Sequence, residues 1–407
     1  MEKESPFKKY RFAYYFIAPT AIGMLIMHLI PILQGFYMSL LQLNNFTLSQ
    51  YLGAPFVGVR NYYDILFSTT SPMRIGIIDS IRNTVIYAVF VTIGQIGVGM
   101  IVALMLNMEF KGRSLIRTLF LFSWIVPTYV TGLLWGFMWQ SSIGIINIIL
   151  YDFFKWHLIA AKLNLVIHFF QLDKVVSIFN FFIGLIRGII LSIDSNLNFV
   201  IQLLLITAII YGVVSVKRKI QKKYSEGKSL LYIFIVIAFV FLALFDISFP
   251  VDLSVRYKPF WLVGTNTIWA IIIPTIWRFW PLSMLMLLAG LQNVPSALYD
   301  AAKIDGANNW MTFWKITWPM LTPVWSILVL FGLIYNVYSF NIVIMMFGNG
   351  AGFPGEWGDL MMTNIFRNSF MRWDFGAGAA TSVVLLCVMV AIVNYWYKFY
   401  KKSEEIY

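Results

Sequence analysis

"VPSALYDAAKIDGANNWMTFWKITWPML", Val294–Leu321, interrupts a chain that is otherwise mostly apolar. It carries Asp300, Lys303, Asp305 and the pair Asn308 and Asn309 between two long hydrophobic runs. A plain helix–helix connection needs only about 2–8 residues, so this one is built for more than connection. Pro295 suits the first turn of a helix, where a missing N–H costs nothing. "SALYDAAKID" contains good helix formers, and Gly306 can end that helix in the left-handed conformation. Asn308 or Asn309 can cap a second short helix, "WMTFWKIT", which Pro319 is expected to stop. On that second helix Trp310, Phe313, Trp314 and Thr317 recur at three- and four-residue spacing and form one stripe. The physics alone leaves two readings level: an elbow whose aromatics rest in lipid headgroups, or a docking helix offered to a soluble partner.

The surrounding chain is membrane-embedded. Hydrophobic residues make up 60% of the 407, charged residues 12%, and mean hydropathy is +0.77. A soluble domain carries about twice that charge. Six runs, 13–40, 81–107, 115–140, 265–292, 322–347 and 375–398, approach or exceed the roughly 20 apolar residues of a spanning helix. Two further candidates lie at 198–216 and 229–248. The expected fold is an all-α polytopic membrane protein, a six-helix core plus two extra spans, eight in total. Its first run is too long for a signal peptide and reads as a retained anchor.

With the N-terminus cytoplasmic, the inside segments hold 18 basic residues and the outside segments 11. Six of the inside ones fall in the short loop 217–228. This asymmetry places both termini in the cytoplasm, and it assigns the net charge of +12 to topology rather than to nucleic acid. The segment 175–193 is interrupted by Arg187 and two glycines and reads as interfacial or re-entrant on the outer side. The single cysteine, Cys387, excludes a disulfide framework within the chain, and the scattered His28, His157 and His168 have no metal-ligand spacing. No G-x-x-x-x-G-K-[ST] loop is present, and "GNGAGFPG" at 348–355 reads as a cluster of turns. The chain is therefore not expected to be an enzyme or to hold a cofactor of its own.

"DAAKIDGANNWMTFWKITWP" resembles the coupling loop of permease subunits from binding-protein-dependent ABC importers. Ala301, Ala302, Asp305, Gly306, Ala307, Ile316 and Pro319 match that pattern, while Asp300 stands where glutamate is usual and Trp318 where leucine is usual. "FVGVRNYYDIL", "SIRNTVIYAV", "LMLNMEFKGRSLIRTLFLFSWIVP", "WRFWPLSMLMLLAGLQNVPSALYDAAKIDGA" and "FGNGAGFPGE" are similar to the carbohydrate-uptake branch of the family. The likeness covers roughly 1–150 and 260–407. It implies three regions: an N-terminal half of the permease core (1–150), an insertion (151–258), and a C-terminal half (259–407) with the coupling loop 294–321. It also implies a second homologous permease subunit, an ATPase dimer that binds ATP and Mg and does the hydrolysis, and an extracytoplasmic solute-binding protein. The solute would be a sugar, a di- or oligosaccharide, and the location a bacterial or archaeal cell membrane.

For the solute path, Pro274 and Pro281 fall in one span and free backbone carbonyls there. Arg278 beside them would cost about 2.5–3.5 kcal/mol or more if it faced lipid at the membrane centre. The family often carries arginine beside this tryptophan, so Arg278 by itself does not assign an acidic sugar. Tyr335, Asn336 and Ser339 lie near one face of the fifth span, where Asn and Ser serve either as hydrogen-bonding groups for hydroxyls or as glue between helices. In the maltose-transporting member, positions matching Thr275, Phe279, Leu282, Tyr335, Asn336 and Ser339 line the sugar site. Only Asn336 is identical, and Leu282 replaces an aromatic. The alternative is a stand-alone secondary transporter of a small polar solute. Such proteins usually carry intramembrane carboxylates, which are nearly absent here.

Overall fold

The computed structural model describes residues 10–68, 72–169, 258–348 and 353–404, with positions 174, 176–178, 180, 181 and 184 besides. The segment 175–193 lies largely, and the loop 217–228 and the spans 198–216 and 229–248 entirely, outside the described residues. Among the described residues the regular structure is helical, apart from two isolated bridges, Leu41–Phe56 and Asn44–Asp374. Among the described residues five stretches are long and apolar enough to cross a membrane: Phe12–Ser39, Gly76–Asn107, Gly264–Gln292, Thr322–Gly348 and Phe375–Lys398. A sixth arises if Arg113–Ile125 and Thr128–Met138 form one span, bent by 88°.

That bend corrects the expectation of a continuous helix over 115–140. Pro127 forces it. The residue before a proline is pushed out of the α region, and Val126 takes ψ 128 and Pro127 ψ 143, so two extended residues separate the helices. The fifth span is likewise interrupted, between Thr322–Val337 and Asn341–Gly348. Pro274 and Pro281, by contrast, are absorbed within an unbroken Thr267–Gln292 helix.

The chain divides into two compact units, Met1–Arg74 with Asn364–Ile392, and Ile75–Thr363 with Val393–Tyr407. In the first unit, α1 (Arg11–Met24) and α2 (Ile30–Ser39) are joined by a π-turn, Leu25–Leu29. The Ile30 N–H closes that turn on the Leu25 carbonyl, immediately before Pro31. The proline can neither donate nor tolerate a normal carbonyl four residues back, and a wider turn accommodates it. Asn61 Nδ2 donates to the Ser39 and Leu41 carbonyls at 2.8 and 2.9 Å and fixes the residues that follow α2.

The second unit is built on α3 (Pro72–Asn107), α4 (Thr128–Met138), α5 (Thr267–Gln292), α6 (Ser296–Ile304), α7 (Thr322–Val337) and α8 (Asn341–Gly348). One buried cluster joins Tyr87 and Val91 of α3, Trp139 just after α4, Ile271 of α5, Phe347 of α8 and Leu360. A second joins Ile96, Met100 and Leu106 of α3 to Met284, Leu287 and Leu291 of α5, with Leu321 and Leu328. At Gly99 the backbones of α3 and α5 come close together: a Cβ there would lie 2.8 Å from Ser283 Cβ and 2.9 Å from the Met284 backbone nitrogen. Small residues are how membrane helices approach one another closely. The last helix, α9 (Phe375–Glu404), contributes Phe375–Ile392 to the first unit and its remainder to the second.

Candidate functional site

The Val294–Leu321 stretch forms the expected helix–glycine–helix elbow. α6 starts at Ser296, directly after Pro295, and its C-terminus closes as a Schellman motif. Gly306 N–H donates to the Lys303 carbonyl at 3.1 Å and Ala307 N–H to the Ala302 carbonyl at 2.9 Å. Gly306 sits at φ +74, the left-handed conformation this motif needs. Of the two asparagines, Asn308 is the cap: its Oδ1 accepts from Met311 N at 2.8 Å.

Pro319 does not stop the second helix, which corrects the sequence reading. Asn309–Thr312 passes into a π-turn, Phe313–Thr317, and the chain continues helically through Trp318–Met320. The Trp318 N–H reaches back to the Phe313 carbonyl just before the proline, the same solution seen before Pro31. The aromatic stripe is packed. Trp310 meets Trp314 at 5.6 Å, Trp314 meets Trp318 at 5.5 Å, and Trp318 stacks on Trp325 at 5.5 Å. Tyr299 Oη and Thr317 Oγ1, 3.2 Å apart, tie the two arms together.

Asp300, Ala301, Asp305 and Gly306 are exposed, Ala302 is buried, and Ala307, Ile316 and Pro319 are half-buried. Ile304 at the tip is 86% exposed, beside the Lys303–Asp300 pair at 3.6 Å.

The intramembrane residues divide into two sets. Thr275, Asn336 and Ser339 are buried in a hydrogen-bond network between helices. Tyr87 Oη lies 2.9 Å from both Thr275 Oγ1 and Ser339 Oγ, and Asn336 Nδ2 donates to Thr92 Oγ1 at 3.1 Å. The second set is accessible. Tyr335 is 48% exposed and meets the edge of Phe279 at 4.7 Å. The Arg278 guanidinium lies 5.3 Å from the Phe279 ring and donates Nη1 to Thr131 Oγ1 at 3.4 Å. Leu282 is half-buried one turn along α5. Tyr87, Thr92 and Thr131 were not singled out from the sequence. Each is an ordinary residue in an apolar run, and only the helix crossings give it a polar neighbour.

A further polar cluster pins the segment after Gly355 to the start of α3. Asn83 Nδ2 donates to the Glu356 and Asp359 carbonyls at 2.6 and 3.1 Å, and Ser80 Oγ donates to Asp359 Oδ2 at 3.2 Å. The Met361 N–H donates to Thr84 Oγ1 at 2.8 Å. These partners sit in the "SIRNT" stretch whose likeness to the carbohydrate branch is noted above. Asn83→Ala removes two donated bonds at once, leaving the Glu356 carbonyl only the longer one from Arg82 Nη2 at 3.3 Å among those described, and is expected to cost about 1–3 kcal/mol. Faster proteolysis between residues 353 and 361 would register the loss, and an unchanged cleavage rate would show that the segment is held otherwise. Residues 349–352 of the glycine-rich stretch lie outside the described residues; beyond them, Gly358 and Asp359 N–H both turn back to the Gly355 carbonyl. Among the described residues no three His, Cys, Asp or Glu side chains are grouped to hold a metal.

The family model for the inner membrane component of binding-protein-dependent transport systems matches residues 229–403. A putative ABC transporter permease protein of Caldicellulosiruptor sp. is 30% identical over 129 residues, 32% of this chain and 90% of that protein. The chain belongs to this permease family. The sn-glycerol-3-phosphate transport system permease protein of Agrobacterium fabrum is 20% identical over 390 residues, covering 96% of this chain and 94% of that one. The trehalose/maltose transport system permease protein of Thermococcus litoralis is 23% identical over 400 residues, with the same two coverages. A chain in the crystal structure of a bacterial ABC transporter involved in the import of the acidic polysaccharide alginate superposes with a TM-score of 0.60 at 16% identity. The match covers 97% of each chain and establishes the shared fold. The permease is thus a multi-pass subunit of an ABC importer rather than a stand-alone transporter.

Proposed function

We propose that this permease pairs with a second, homologous permease and an ATPase dimer to import a di- or oligosaccharide delivered by an extracytoplasmic solute-binding protein. The observation that carries the reading is the elbow: a rigid helix–glycine–helix with Asp300, Asp305 and Ile304 exposed at its tip. An ATPase cleft would receive that tip, with ATP and Mg held by the partner, and the packed tryptophans would pass its movement into α7. The contact must differ between the nucleotide states, since equal affinity for both shifts nothing.

The reading includes cytoplasmic termini, eight spans, and the regions 1–150, 151–258 and 259–407 as core, insertion and core. Relatives named for trehalose/maltose and for glycerol 3-phosphate support a hydroxylated solute. In the solute path, Arg278, Phe279, Leu282 and Tyr335 would form the accessible wall, and Thr275, Asn336 and Ser339 would set its shape from behind. Co-purification with an ATPase and a second permease, and saccharide uptake that depends on ATP, would bear this out. A lone chain moving solute without ATP would refute it.

Asn336→Ala is expected to lower uptake and the thermal midpoint together, because it breaks the bond to Thr92 at a cost of roughly 1–3 kcal/mol. Tyr87→Phe, which strips both Thr275 and Ser339 of a partner, should do the same. Transport kinetics in proteoliposomes alongside melting of the purified complex check both variants. Lower uptake with an unshifted midpoint would instead put Asn336 in direct contact with the solute.

A further inference from the structure

Arg278 is the twelfth residue of the 26-residue α5, near the middle of a membrane span. Its guanidinium is held inward by Thr131 Oγ1, which is itself fully buried, so the side chain does not run along the helix to the membrane surface. Nη1 makes that one long bond of 3.4 Å, and Nε is enclosed with no acceptor at all. No carboxylate pairs with Arg278 among the described residues, unlike Arg60, Arg82, Lys258 and Lys303, which each meet an aspartate. A guanidinium carries five donors and a charge that cannot be shed by deprotonation. Here it stands with one weak acceptor beside two aromatic rings, Phe279 and the half-exposed Tyr335.

We infer that Arg278 is a specificity residue for an anionic solute, and that a carboxylate or phosphate on a hydroxylated substrate supplies the counter-charge this span lacks. The inference rests on the solute path proposed above. A neutral sugar satisfies donors but leaves the charge uncompensated, whereas an oxyanion does both and suits the planar fork of arginine. Phe279 and Tyr335 would take the apolar face of the same solute, and Thr131 is a positioning residue that keeps the fork turned inward.

The test is uptake by the complete transporter, with its own solute-binding protein, in proteoliposomes. The probes are digalacturonate, glycerol 3-phosphate and maltose, each with wild type, Arg278→Gln and Arg278→Lys. Arg278→Gln should lower uptake efficiency of the anionic probe about 10–150-fold, the worth of charge-assisted hydrogen bonds. Arg278→Lys should recover part of it, which also shows that the site folds. Loss confined to digalacturonate supports both the anion inference and the saccharide reading. Loss confined to glycerol 3-phosphate, with neither disaccharide moved, supports the anion inference and overturns the saccharide reading. Maltose uptake matching the anions, with Arg278→Gln changing none of them or all equally, overturns the anion inference and leaves the saccharide reading standing. ATPase activity with no uptake of any probe overturns both.

Discussion

Gly306→Pro is expected to lower ATP-driven uptake by about 100-fold while the permease remains inserted in the membrane. Gly306 holds φ +74 and donates its N–H to the Lys303 carbonyl. Proline fixes φ near −65° and has no N–H, so the variant loses both the turn and the bond, a cost of about 3 kcal/mol or more. That energy is borne by the elbow, since nothing lies within 4 Å of a Cβ built at Gly306. The predicted outcome is therefore misdirection of α6 against the second arm, not collapse of the membrane region. Gly306→Asn, which visits the left-handed region more readily than other side chains, should retain most activity, and Gly306→Ala should fall between. Asp300→Ala should weaken the proposed ATPase contact without bending the elbow, because its ion pair is with Lys303, itself exposed on the same helix. Parallel measurements of ATP hydrolysis and uptake in proteoliposomes decide the matter. Normal coupling in Gly306→Pro would mean that the elbow does not transmit the stroke.

The second large effect is expected at Gly99→Leu. The added side chain would have to displace Ser283 and the backbone at Met284, the crossing point of α3 and α5. Overpacking against backbone sits at the upper end of the usual range, about 3 kcal/mol. A fall of roughly 6–12 °C in the thermal midpoint of the purified chain should follow. Gly97→Leu is the matched control. It lies two residues away on the same helix with nothing within 4 Å of its Cβ, and it should leave the midpoint unchanged. Equal behaviour of the two variants would show that the α3–α5 crossing is looser than described.

Much of the candidate coupling site was legible before any fold. Proline and glycine act through their own backbones and asparagine through a side chain that bonds the backbone beside it, so Pro295, Gly306 and the Asn308–Asn309 pair place the start of α6, the turn and the cap from local chemistry, with the structure choosing Asn308. The apolar runs similarly locate the spans, since a bilayer imposes one length on any helix that crosses it. The local reading failed where a proline can be accommodated in more than one way. Pro127 breaks a span, Pro274 and Pro281 leave one intact, and Pro319 sits behind a π-turn. Which occurs depends on what re-satisfies the freed carbonyl, and that is a property of the neighbourhood.

The intramembrane site belongs to the same category. Composition identified Arg278, Tyr335, Asn336 and Ser339 as polar groups in oil, but could not say which touch one another. Tyr87 reaches Thr275 and Ser339 across 188 and 252 residues of chain. That contact separates the buried network from the less buried Arg278, Phe279 and Tyr335. In "GQIGVGM", Gly94, Gly97 and Gly99 read alike, yet Gly99 meets backbone and Gly97 meets nothing. The sequence by itself determined the solvent each segment lives in and the turns its own backbone dictates. Tertiary structure alone decided which polar groups are paired and which glycines are packed, because both depend on partners distant in the chain.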